Sequence, residues 1–69
     1  PQTNFKRLNY GIEVKVLVAE AIAKYREWLT DFIGERDVDW TFYYLEGITF
    51  EVRFKRQEDL VAFKLRFGL

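Results

Sequence analysis

The hydrophobic period of this chain changes once, sharply, within residues 40–67. Trp40, Phe42 and Tyr44 alternate with Thr41 and Tyr43, and Gly47 interrupts the run. Ile48, Phe50, Val52 and Phe54 then alternate with Thr49, Glu51 and Arg53, and from Gln57 the spacing becomes helical. A period of two marks a strand with one buried face, and a period near 3.6 marks an amphipathic helix. The stretch therefore reads as strand, turn, strand, helix.

The preceding residues supply a strand and a helix. Tyr10, Ile12, Val14 and Val16 alternate with Gly11, Glu13 and Lys15 as a strand buried on one face. Val18, Ala21, Ile22, Tyr25, Trp28, Leu29, Phe32 and Ile33 then share one helical arc opposite Glu20, Ala23, Lys24, Glu27 and Asp31. Gly34 follows and suits a left-handed helix cap. Residues 1–8 read as a polar arm, and residues 9–69 as a single domain.

The hairpin register depends on the turn. A two-residue turn at Glu46-Gly47 sets Trp40, Phe42 and Tyr44 on the face opposite Phe50, Val52 and Phe54. A three-residue turn, Leu45-Glu46-Gly47, pairs Tyr44 with Ile48 and puts both apolar rows on one face. We expect the three-residue turn, because Glu suits a type I′ turn poorly and Gly suits the left-handed third position. Thr41, Tyr43, Thr49, Glu51 and Arg53 then form the outer face.

A chain of 69 residues makes one small domain whose stability needs a dense core, and 7 Phe, 4 Tyr and 2 Trp provide it. The chain has no Cys, no His and no Ser. That excludes disulfides, thiolate or imidazole metal ligands, and Ser–His or Cys–His nucleophiles. Formal net charge is +0, so the overall field favours neither nucleic acid nor an anionic membrane. Asp31, Glu35, Asp37, Asp39, Glu46 and Glu51 make the middle acidic, while Arg53, Lys55, Arg56, Lys64 and Arg66 make the end basic. No apolar run approaches the ~20 residues of a membrane span. No secretory signal is evident, and a cytoplasmic location is expected.

The order β-α-β-β-α is that of an α+β protein. It resembles a ferredoxin-like split βαβ unit, with a three-stranded antiparallel-type sheet covered on one face by two helices. This chain shows no clear fourth strand of such a unit, which leaves one edge of the first strand unpaired. The arm around Phe5, the tail around Phe67 or the first strand of a second copy are the candidates to cover it. Residues 65–69 either continue the last helix or alternate as a strand.

Four constellations bear on function. Val52-x-Phe54 followed by Asp59 resembles the end of the third strand of RNA-recognition domains, but the base-stacking positions fall on Thr49 and Glu51. Tyr43, Arg53 and Lys55 remain as a single-stranded nucleic-acid surface. An N-terminal proline in a β-α-β order resembles the tautomerase superfamily, which implies Pro1 as general base and Arg7 as carboxylate binder. Asp37 and Asp39 could share a hard cation, though turn and capping duty accounts for them as well, and no metal site is assigned. Lastly, Val61, Leu65, Phe67 and Leu69 exceed what one sheet face requires and suggest self-association.

The stretch Ile48-x-Phe50-x-x-x-Phe54-x-x-x-Glu58-Asp59-x-x-Ala62-Phe63-Lys64-Leu65 is similar to a pattern in small proteins of tailed bacteriophages. The resemblance implies a viral accessory protein acting in host cytoplasm on a host or viral protein partner. The expectation is thus a non-enzymatic module that needs no cofactor, forms a homodimer and acts by binding. A nucleic-acid binder and a Pro1-dependent proton-transfer enzyme are the alternatives.

Overall fold

The computed structural model describes residues 8–69. Three strands and two helices follow one another: β1 (Tyr10–Lys15), α1 (Ala19–Trp28), β2 (Trp40–Glu46), β3 (Thr49–Phe54) and α2 (Gln57–Phe67). The sheet order is β1-β3-β2, and both pairings are antiparallel. The fold is α+β with an open three-stranded sheet, as expected. Among the described residues no helix is long and apolar enough to cross a membrane.

Both apolar rows of the hairpin share a face. Trp40, Phe42 and Tyr44 oppose Phe54, Val52 and Phe50, and on the other side of β3 these meet Tyr10, Ile12 and Val14. The register nevertheless differs from the expected one. Tyr44 pairs with Phe50 rather than Ile48, and Glu46 pairs with Thr49 across a bulge at Leu45. Gly47, with φ +58, is the first of two turn residues, the φ pattern of a type II′ turn. The extra residue is absorbed inside β2 by the bulge, so the parity of the faces survives while the pairing slides by two.

Val14, Val16, Leu29, Trp40, Phe42, Val52, Phe54 and Phe63 form the buried cluster, and both helices pack on it through Tyr25, Trp28, Leu60 and Phe67. Ring pairs run through this packing. Phe42 stacks on Phe50 at 5.1 Å, and Tyr25 meets Phe67 edge-on at 4.7 Å. Such offset and edge-to-face pairs are the arrangements the ring quadrupole favours.

The first helix is shorter than its pattern. Val18 is extended (φ −135) and exposed, so the helix starts one residue later. At the other end residues Leu29–Ile33 form a π turn, closed by the Gly34 N–H on the Leu29 carbonyl at 3.0 Å. The wider turn shifts the helical phase. Leu29 stays buried, but Phe32 is left 72% exposed, leaning on Trp28 at 5.7 Å. Gly34 departs from the expected left-handed cap, with φ +149 and ψ −143, a conformation open essentially to glycine alone. A Cβ there would lie 2.2 Å from Asp39 Oδ2.

The tail stays helical to Phe67 and is capped by Gly68 in the left-handed conformation (φ 69), with Leu69 N–H on the Lys64 carbonyl. Residues 65–67 therefore do not form a fourth strand.

Candidate functional site

The two edges of the sheet are treated differently. On β2, residues 34–39 fold back along the outer side. The Trp40 carbonyl accepts the Asp37 N–H at 2.6 Å, and the Phe42 carbonyl accepts Arg36 Nη2 at 3.1 Å. Arg36 also lies over the Trp40 ring at 6.0 Å. This covering is one of the ways proteins blunt an edge strand.

β1 has no such cover among the described residues. The Val16 N–H donates to the Ile48 carbonyl at 2.7 Å, so the even-numbered residues of β1 turn their backbone groups toward β3. Alternation along the strand then aims the N–H and C=O of Gly11, Glu13 and Lys15 outward. Three consecutive sites on this edge carry a glycine, an acid and a base.

The polar face above that edge is crowded with charge. Glu13 lies directly opposite Glu51. Facing carboxylates repel, and each needs a cation or a donor. Glu51 has both. Its Oε2 meets Arg53 Nη1 at 3.1 Å, and its Oε1 accepts the Tyr43 hydroxyl. That hydrogen bond, ahead of burial and the carboxylate's charge, raises the Tyr43 pKa above its ordinary value. Glu51 and Arg53 pass across β1 where it has no side chain. A Cβ on Gly11 would come within 2.8 Å of Glu51 Oε2. Glu13 has no ion pair or side-chain hydrogen bond among the described residues, and Lys15 holds only the Thr49 hydroxyl, at 3.3 Å.

Of the nucleic-acid candidates, Tyr43 and Arg53 do lie together, but both are tied to Glu51, and Arg53 Nε also donates to the Leu8 carbonyl at 2.7 Å. Thr41 on the same face is only 2% exposed. Leu8 is fully buried but stands outside the main cluster. Lys55 is exposed at the end of β3. Pro1 and Arg7, and with them the arm around Phe5, lie outside the described residues.

Asp37 and Asp39 serve the connector. Asp37, at φ +67, accepts the Thr41 hydroxyl at 2.8 Å, and Asp39 accepts the Glu35 N–H at 2.9 Å. Asp39 also faces Arg56 Nη1 at 3.7 Å, and the same guanidinium lies 3.7 Å from Asp59 Oδ2. Burial outweighs that cation, and with help from Glu58 and Asp39 it holds the Asp59 pKa above the usual carboxylate value.

The four self-association candidates on α2 divide. Val61, Leu65 (79% exposed) and Leu69 face solvent, whereas Phe67 turns inward against Tyr25, Trp28 and Phe63. Beside Phe67, a cleft of about 520 Å³ opens between the ends of the helices, floored by Trp28, Phe32 and Phe67 and rimmed by Lys24, Asp31 and Arg66. Two features escaped the sequence reading. The cleft depends on the π turn, which has no periodic signature. The Glu13–Lys15 edge was visible only as the polar half of an alternating strand. Comparison with protein-family profiles, with characterised proteins and with solved structures finds no match to this chain.

Proposed function

We propose that this domain is a non-enzymatic binding module that works by self-association through the outer edge of β1. The observation that carries the reading is the asymmetry of the edges: the connector covers β2, while Gly11, Glu13 and Lys15 direct outward backbone groups that have no partner among the described residues. An open edge is a template for strand addition. The strand order supports a ferredoxin-like reading of the same sheet, in which β1 and β2 flank β3 and a fourth strand would lie beside β1. A second copy supplies that strand. An accessory role, in which the dimer presents its faces to another protein, is what the sequence resemblance of residues 48–65 to small tailed-phage proteins implies.

Sedimentation equilibrium on the purified chain tests this. A dimer in the micromolar range is the expected result. A monomer that persists at millimolar concentration would remove the proposal.

A further inference from the structure

We infer that two copies pair β1 to β1 antiparallel in one register, with the two-fold axis at Val14, so that Glu13 of each copy meets Lys15 of the other. The inference rests on the reading of β1 as the self-association edge and adds its geometry.

Parity narrows the choice first. Only odd-numbered residues of β1 direct N–H and C=O outward, so the hydrogen-bonded pairs of a second strand must join odd to odd. That arrangement also keeps Ile12, Val14 and Val16 of both copies on the apolar face and all charges on the other. A slip by one residue would set one copy's apolar row against the other's charged row.

Charge then selects among the remaining registers. Centring on Glu13 brings Glu13 against its own copy, beneath a face that already holds Glu51. Centring on Lys15 brings two ammonium groups together. Sliding the other way sets Glu13 against Gly11 and leaves every charge without a partner. Centring on Val14 pairs Glu13 with Lys15 twice. Opposite charges directly across a strand pair attract, and like charges repel. The Glu13 carboxylate and the Lys15 ammonium are the edge charges that lack an ionic partner among the described residues. Charged edges ordinarily resist pairing. An acid and a base two residues apart resist every register but the one in which they complement themselves.

Charge exchange tests this on exposed side chains, where folding is not at risk. Lys15→Glu alone and Glu13→Lys alone should each weaken dimerisation about tenfold at low salt. An equimolar mixture of the two variants should recover parental affinity as a heterodimer, since every facing pair is then again opposite in sign. The double variant Glu13→Lys/Lys15→Glu should recover it as well. Val14→Cys should form a disulfide across the axis under mild oxidation, because the non-hydrogen-bonded site brings the two Cα atoms to about 4.5 Å. A dimer that is indifferent to all these charge changes, with no cross-link at Val14, overturns the register and leaves self-association standing. A parent chain that stays monomeric overturns both.

Discussion

The indole N–H of Trp40 donates to the carbonyl of Gly34 at 2.9 Å. This one bond pins the end of the π turn to the first residue of β2. Trp40 is almost completely buried and the bond itself partly so, which limits the water that can replace the donor. Trp40→Phe keeps an aromatic ring but orphans that carbonyl and shrinks the side chain. It should cost on the order of 1–3 kcal/mol for the lost donor, with a further loss from the void. A fall of at least about 4 °C in the thermal midpoint checks it.

Gly34→Ala should cost about 2 kcal/mol or more. The new Cβ meets Asp39 Oδ2, and φ +149 is strained for any other residue. Adding Asp39→Ala removes the overlap but not the strain. The double variant should therefore be less destabilised than the two single losses combined, which chemical denaturation of all four proteins measures.

Asp59 gives a pH signature. Its folded-state pKa lies above the ordinary value because burial disfavours the charged form, with like charges from Glu58 and Asp39 adding to it. A raised carboxyl pKa contributes stability that is fully present below the unfolded value and is lost as pH rises through the folded one. Asp59→Asn mimics the protonated state throughout. Variant and parent should melt alike near pH 3, and the variant should gain on the parent as pH rises toward 7.

Tyr43 should titrate above the ordinary tyrosine value of about 10, the hydrogen bond to Glu51 being the main cause. Holding the neutral phenol in the fold adds stability below that value, and the gain disappears as pH rises through the folded pKa. Absorbance titration of Glu51→Gln should show the Tyr43 midpoint moving down. An unchanged midpoint would assign the shift to burial instead.

On α2, neighbouring positions should behave oppositely. Phe63 is fully buried among Tyr25, Trp28, Phe54 and Phe67. Phe63→Ala should cost roughly 3–5 kcal/mol, enough to unfold a domain of this size. Leu65→Gln, on the outer side, should stay within about 0.5 kcal/mol of the parent. Circular dichroism melts of both variants check the pair.

The period of the hydrophobic pattern was enough to place the strands, the helices and the shared face of the hairpin rows, because burial enforces parity residue by residue. Register was another matter. Apolar rows two residues apart bury equally well, so the bulge at Leu45 and the turn at Gly47 and Ile48 decided it, and neither disturbs the alternation. The end of α1 was hidden for a similar reason. A π turn keeps Leu29 inside and turns Phe32 out without any change of residue type. The edge chemistry of Glu13 and Lys15 was present as letters, but its direction follows only from which backbone groups β3 consumes.

The central strand is the last of the three to be synthesised. β1 pairs with β3 across separations of 34 to 44 residues and, among the described residues, touches no other strand. On a ribosome, β1 therefore waits without its partner strand until β3 has cleared the exit tunnel. During that interval any neighbouring nascent copy offers the same edge, so the chain's own translation is the stage at which premature pairing must be outrun.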